Sequence, residues 1–113
     1  MKEIKTTRDA SLRQETAVAK ALEGRRTANS GATLFAKGDV IVGDMIVECK
    51  TKMTETASFT LAKSWLETLE EERIGMRKRY SALAFSFDVG KTNYYVIDEK
   101  LMKRLVQYLN QEE

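Results

Sequence analysis

The 113-residue chain contains no histidine, no proline and a single cysteine, Cys49. With one thiol and no imidazole, it cannot form an intramolecular disulfide or a Cys/His zinc site of the usual four-ligand kind. Disulfide-stapled secreted classes are therefore excluded. Because histidine is the side chain that most often carries protons near neutral pH, any catalysis must depend on carboxylates, lysine, tyrosine, hydroxyls or a metal ion.

Long apolar runs and a strong charge imbalance are also absent. No run approaches the roughly 18 apolar residues that a membrane span needs, and the N-terminal segment lacks the hydrophobic stretch of a signal peptide. The 19 basic and 17 acidic residues give a net charge of +2, which by itself does not indicate a nucleic-acid partner. We expect one soluble, cytoplasmic domain, residues 1–113, with no membrane partner.

Three segments have the composition and periodicity of helices: residues 9–23, 59–79 and 98–110. Their candidate N-caps are Thr7 or Asp9, Ser58 or Thr60, and Asp98. Gly24 is placed to end the first helix. The last helix carries two adjacent apolar stripes, which exceed what one side of a small sheet requires, so its surface is a candidate interface.

The remaining segments have strand-like patterns. Arg25–Ala32 is too polar for a core and predicts a short strand or an extended loop with an exposed basic patch. Strand-like runs occupy residues 39–42, 45–51, 82–87 and 94–97. The resulting order, α-β-β-β-α-β-β-α, predicts an α/β fold with a mixed central β-sheet flanked by helices.

Gly43 and Asp44 separate two of these runs and predict a two-residue β-hairpin with a type II′ turn. In that register Asp39 lies opposite Glu48, on the sheet face that also holds Lys50. The Cβ atoms of such a pair are about 4.5–5.5 Å apart, and like charges there destabilise the sheet unless a cation lies between them. Oxygen-rich sites suit Mg²⁺ or Mn²⁺, and a neighbouring lysine can stabilise charge that develops on a phosphate.

A third carboxylate, Glu15, interrupts the apolar face of the first helix and is predicted to point inward. That face also holds Leu12, Val18, Ala19 and Leu22. Acidic groups at partly buried positions are costly unless they are paired or bind a metal. This cost favours a metal site over the alternative, an ordinary amphipathic hairpin whose charged residues only face solvent.

Gly38-Asp39 followed by Glu48-Cys49-Lys50 resembles the D…(D/E)-x-K core of the PD-(D/E)xK nuclease superfamily. With the flanking residues, the chain is similar to archaeal-type Holliday-junction resolvases and their small phage relatives over most of residues 10–97. Those flanking residues are Glu15, Arg25-Arg26, Ser30-Gly31 and Thr51-Lys52. The resemblance implies a restriction-endonuclease-like core.

The resemblance also implies a role for each matching residue. Asp39 and Glu48 would be metal ligands, with the Cys49 backbone carbonyl as a third ligand. Lys50 would be the catalytic lysine, and Glu15 would assist the metal site as a further catalytic acid and candidate ligand. Ser30 would lie near the scissile phosphate, and the residues that bind the DNA backbone would be Arg25, Arg26 and Lys52.

The function that follows is a Mg²⁺-dependent DNA endonuclease, with Mn²⁺ able to substitute, acting on Holliday junctions as a homodimer. Its DNA substrate is branched or double-stranded, and the family likeness suggests a phage setting. A first alternative is another nuclease of the superfamily: a nicking, restriction-like or recombination nuclease on linear or single-stranded DNA. A second alternative is a non-catalytic DNA-binding module of the same fold.

Several other residues have structural interpretations at least as good as functional ones. Asp44 fits its turn position, and Cys49 and Trp65 are interpreted as core residues. The acidic run Glu70–Glu72 is interpreted as a solvated helix face. The basic run Arg77–Arg79 would lie at a helix C-terminus, where cations are favoured by the helix dipole as much as by DNA.

Overall fold

A five-stranded mixed sheet and three helices form the part of the chain that this computed structural model describes, residues 6–27 and 39–111. The elements in chain order are α1 (Thr7–Leu22), β1 (Arg25–Arg26), β2 (Val40–Val42), β3 (Met45–Lys50), α2 (Lys63–Gly75), β4 (Tyr80–Phe85), β5 (Tyr94–Ile97) and α3 (Glu99–Gln111). The strands lie side by side in sequence order. β3 and β4 are parallel and all other neighbours are antiparallel.

The hairpin between β2 and β3 has the register that the sequence predicts. Val40 pairs with Val47, Ile41 with Ile46 and Val42 with Met45. Gly43 has φ of 55°, whereas Asp44 is not among the residues with positive φ. A positive φ at only the first turn position is the mark of a type II′ turn, because type I′ needs it at both.

The two faces of the sheet pack against different helices. Val18 of α1 packs with Val40, Val47, Ala82 and Ala84 on one face. On the other face Leu69 of α2 packs with Ile46 and Leu83. Side chains alternate along each strand, so Glu48 and Lys50 lie on the same face as Ile46, the face that α2 covers.

Helix α1 begins two residues earlier than the sequence predicts and ends one residue earlier, at Leu22, because Glu23 rather than Gly24 takes the left-handed conformation, with φ of 57°. Thr6, not Thr7 or Asp9, is the N-cap, and its hydroxyl accepts a hydrogen bond from the Asp9 N–H at 3.1 Å. At the other end, the Gly24 N–H donates to the Ala19 carbonyl at 2.8 Å. A Cβ on Gly24 would lie 2.6 Å from the Ile41 carbonyl oxygen, so glycine lets the chain turn closely against β2.

The predicted helix over residues 59–79 is too long at both ends. Residues 51–62 contain five serine or threonine residues and no helix, and Ala62 is the N-cap in place of Ser58 or Thr60. Instead, the Phe59 ring stacks on Phe85 with ring centres 4.7 Å apart. The helix ends at Gly75 because Arg77 takes a left-handed conformation, with φ of 56°.

The strand after α2 accordingly starts two residues before the predicted 82–87. The backbone N–H groups of Arg79 and Tyr80 both donate to the Asp44 carbonyl at 3.1 Å, which sets where β4 begins. β5 has its predicted bounds, and Asp98 caps α3 by accepting from the Leu101 N–H at 2.9 Å. Among the described residues, no helix combines the length and apolar character that crossing a membrane requires.

Candidate active site

The hairpin brings the carboxyl groups of Asp39 and Glu48 within hydrogen-bonding distance of each other. Asp39 lies directly before β2, and its Oδ2 accepts a hydrogen bond from the Cys49 backbone N–H at 2.8 Å. Burial raises the pKa of Glu48 to about 9, with Asp39 and then Glu72 acting in the same direction. The Lys50 charge lowers the pKa of Glu48 only in part. The positive charge near Asp39 and Glu48 is therefore too small to stabilise both side chains in their ionised form.

Lys50 is held by both helical layers. Its ammonium lies 4.6 Å from the centre of the Trp65 ring on α2, which is cation–π distance. From the opposite face, the Nε2 of buried Gln14 on α1 donates to the Lys50 carbonyl oxygen at 2.8 Å. A cleft of about 80 Å³ between β3 and α2 is lined in part by Glu48, Lys50, Trp65 and Glu72. Lys50 thus has a defined position beside the acidic pair.

Glu15 lies on α1, whereas Trp65 and Glu72 lie on α2, and these two helices cover different faces of the sheet. Glu15 therefore approaches Asp39 from the side of α1. It is half-buried, and burial raises the pKa of Glu15, followed by the negative charge of Asp39. Arg26 opposes this rise, and its Nε lies 3.8 Å from the Glu15 carboxylate. The structure therefore brings Glu15 near Asp39, in an ion pair with one of the predicted DNA-binding residues.

The predicted DNA-binding residues that the structure describes are exposed. Arg25 and Arg26 form β1, which pairs with β2 at the edge of the sheet. Lys52 follows β3, and its ammonium lies 5.6 Å from the centre of the Phe59 ring. Ser30 and Gly38 lie outside the described residues. The sequence predicts a short strand or an extended loop over Arg25–Ala32, and the first two of these residues form a short strand.

Two residues to which the sequence interpretation gives no functional role lie at this site. Glu72 lines the cleft and raises the pKa of Glu48, so it does not belong to a purely solvated face. A signal for it exists, because Glu72 follows Trp65 by seven residues and Leu69 by three and so shares their helix face. Gln14 lies four residues from both Ala10 and Val18, which are buried with it.

The basic run Arg77–Arg79 has a structural role that the sequence interpretation does not foresee. The Arg79 Nε lies 2.7 Å from Asp44 Oδ2, and the Lys78 ammonium donates to the Gly43 carbonyl at 3.0 Å. The run follows α2 and does not form its last turn. Two of its three cations therefore hold the hairpin turn, which fixes the end of β3 that lies away from Lys50.

The oxygen donors present fit a hard divalent cation. The carboxyl groups of Asp39 and Glu48, which share a hydrogen bond when one of them is protonated, lie beside the Cys49 peptide, and a cation can replace the shared proton. Within residues 6–27 and 39–111, no group of three or more His, Cys, Asp or Glu side chains is arranged to hold a metal ion. Mg²⁺ is commonly bound through one or two carboxylates, keeping waters and binding substrate phosphates, so Asp39 and Glu48 suffice as its side-chain ligands.

The Cys49 thiol lies on the opposite face from Lys50 and packs against the core cluster beneath α1. Burial raises the pKa of the Cys49 thiol, and the negative charges of Asp39, Glu15 and Glu48 raise it further. Because the thiolate is the nucleophilic form, this environment makes the side chain inert. What Cys49 can offer the site is its backbone carbonyl.

Comparison of the chain with known proteins gives no match to a protein-family model, to a curated protein or to a solved structure. The candidate site therefore rests on its own residues and geometry.

Proposed function

We propose that the protein is a metal-dependent DNA endonuclease with a PD-(D/E)xK-type site and a restriction-endonuclease-like core. The observation that carries this proposal is the arrangement of Asp39, Glu48 and Lys50 at one end of the β2–β3 hairpin. Two adjacent acids, one of them (Glu48) with a raised pKa, and a lysine in a defined position are what phosphodiester hydrolysis needs from a protein without histidine. Within this class we propose a Holliday-junction resolvase.

Asp39 and Glu48, with the Cys49 carbonyl, would hold Mg²⁺ or Mn²⁺. The bound ion would polarise a phosphoryl oxygen and lower the pKa of a water ligand. Lys50 places its ammonium beside the two acids, where it can orient a water or stabilise negative charge that develops on the phosphate. Trp65 and Gln14 keep Lys50 in place, and Glu15 with Arg26 adjusts the charge near Asp39.

Exposed cations beside the site would contact the DNA backbone. Arg25 and Arg26 lie on the sheet edge next to β2, and Lys52 lies two residues after the catalytic lysine. Contacts of this kind are independent of sequence and weaken steeply with salt. They support a nuclease that recognises DNA by the shape and charge of its backbone.

We also propose that the protein acts as a homodimer through α3. Five large apolar side chains of this helix are exposed: Met102, Leu105, Val106, Tyr108 and Leu109. The three basic residues of α3 all lie in its N-terminal half, so an antiparallel pair of helices keeps like charges apart while covering the apolar face. Two symmetric cuts on a junction also call for two sites related by a two-fold axis.

The catalytic proposal is tested by incubating a synthetic four-way junction and a duplex of the same sequence with Mg²⁺. The wild-type protein is expected to cut the junction in preference to the duplex, and Lys50→Ala to slow cleavage by about 10²–10³-fold. Lys20→Ala, which removes an exposed lysine from α1, is the matched control and should cut normally. Undiminished cleavage by Lys50→Ala would refute the role of this lysine.

The same assays separate the two alternatives. Equal cleavage of junction and duplex would favour a nicking or restriction-like nuclease on the same site. A non-catalytic DNA-binding module would cut neither substrate, and its thermal stability would show no Mg²⁺-dependent gain that Asp39→Ala removes.

The dimer is tested by light scattering during size-exclusion chromatography. Leu105→Glu is expected to halve the mass, whereas Gln107→Glu, with the same added charge at a polar position, should leave it unchanged.

A further inference from the structure

An aromatic pocket lies beside the candidate active site and has no part in the proposed hydrolysis. It has a volume of about 450 Å³, within the range of small-molecule sites. Phe87 and Tyr94 provide its aromatic surface, with ring centres 5.8 Å apart. Tyr94 is 50% exposed, so half of the side chain is accessible to a ligand.

The strand register connects this pocket to the catalytic lysine. Lys50 pairs with Phe85 across β3 and β4, and Phe85 pairs with Tyr94 across β4 and β5. Paired residues share a sheet face, so these three side chains form a row on the face that α2 covers. Two strand spacings place Tyr94 about 10 Å from Lys50 along this row, so one bound DNA strand could contact both residues.

The polar groups around the pocket suit a nucleobase better than a phosphate. The lining contains one cation, Lys91, and two acids, Glu55 and Asp88. The two acids disfavour the further negative charge that a phosphate would bring. Carboxylates do accept hydrogen bonds from exocyclic amino groups of bases, as in the recognition of cytosine N4. Thr56 also lines the pocket, and its hydroxyl oxygen is buried without a hydrogen-bond partner among the described atoms.

We propose that this pocket binds an unpaired nucleobase of the DNA, stacked on Tyr94, next to the strand that Lys50 acts on. Aromatic stacking is the usual way in which proteins hold single-stranded bases, because every base has a π-face. A base in a continuous duplex is not free to enter, whereas an unpaired base at a branch point is. The pocket would thus select DNA with unpaired nucleotides, and this selection rests on the proposed nuclease function.

The test measures binding without cleavage, in EDTA, with a fluorescently labelled 12-nucleotide single strand carrying 2-aminopurine. Tyr94→Leu is expected to weaken binding by about fivefold or more and to abolish the quenching of 2-aminopurine, whereas Tyr94→Phe should bind as the wild type does. Tyr95→Leu is the matched control, because Tyr95 is 37% exposed on the same strand but points to the opposite face. Binding of the paired duplex should be unaffected by any of these changes.

Two further results decide the proposal. Equal affinity of wild type and Tyr94→Leu for the single strand would overturn it, as would an equal loss in Tyr95→Leu. An oligo(dC) strand is expected to bind more tightly than oligo(dT), which has no exocyclic amine, and equal affinity would overturn the role of the carboxylates. Because no metal is present, failure of the nuclease assay leaves this measurement intact, and base binding without cleavage would refute only the proposed hydrolysis.

Discussion

Replacing Glu48 with glutamine should make the fold less sensitive to pH. The folded state raises the pKa of Glu48 from 4.5 to about 9, so the folded protein keeps a proton that the unfolded chain releases above about pH 4.5. The stability that this proton contributes is fully present below pH 4.5 and is lost as the pH rises towards 9. Glutamine has the shape of the protonated acid and does not titrate.

The size of the effect follows from proton linkage. Where the folded state holds one more proton than the unfolded state, the free energy of unfolding falls by about 1.4 kcal/mol per pH unit. Between pH 6 and pH 8 this group can therefore remove up to about 2.7 kcal/mol from the wild type and nothing from Glu48→Gln. The variant should become the more stable of the two as the pH rises.

Urea unfolding in EDTA at half-unit steps from pH 5.5 to 8.5 measures this difference directly. Glu67→Gln, which changes an exposed acid on the same helix as Glu72, is the matched control and should follow the wild-type pH dependence. Parallel curves for wild type and Glu48→Gln would refute the assignment of a proton to Glu48. A larger loss of stability in the variant than in the wild type at pH 8 would refute it as well.

Two other substitutions test how the site is supported. Gln14→Leu removes the hydrogen bonds that the side-chain amide donates to the carbonyl oxygen of Lys50 and to Asn93. It should lower the free energy of unfolding in urea by about 1–3 kcal/mol and slow junction cleavage. Gln107→Leu, at an exposed position of α3, should change neither quantity. Gly24→Ala places a Cβ 2.6 Å from the Ile41 carbonyl oxygen and should lower stability by about 1–3 kcal/mol, whereas an unchanged unfolding midpoint would show that β1 and β2 can separate freely.

Local patterns were sufficient for the parts of the fold that depend on neighbouring residues. The type II′ turn at Gly43 and the alternation along β2 and β3 predict the pairing of Ile41 with Ile46, and hence the approach of Asp39 to Glu48. Asp98 likewise identifies the start of α3. In each case one short stretch of chain holds all the information, because turn geometry and strand periodicity fix the register.

Interactions between distant segments decided the parts that sequence patterns could not predict. The sequence pattern predicts that the helix starts at residue 59, but Phe59 instead stacks on Phe85. These two residues are 26 positions apart, so no local pattern contains the contact. The start of β4 depends on Asp44 in the hairpin turn. Gln14 and Glu72 reach the site from opposite helices, so their roles depend on how both helices pack on the sheet.

The energetics of Glu48 separate the two interpretations of the hairpin. A hairpin whose only task is to present one polar face to solvent would be more stable at neutral pH with a neutral side chain at this position, since burial and the neighbouring acids oppose ionisation. An acid placed between Asp39 and Glu72 therefore lowers the stability of the folded state above pH 4.5, and packing of its side chain does not offset this loss. Binding a divalent cation removes that cost, because the ion supplies the positive charge that Lys50 provides only in part. The acidic pair thus favours a cation-binding site over a structural hairpin, on physical grounds that do not depend on the resemblance to a nuclease.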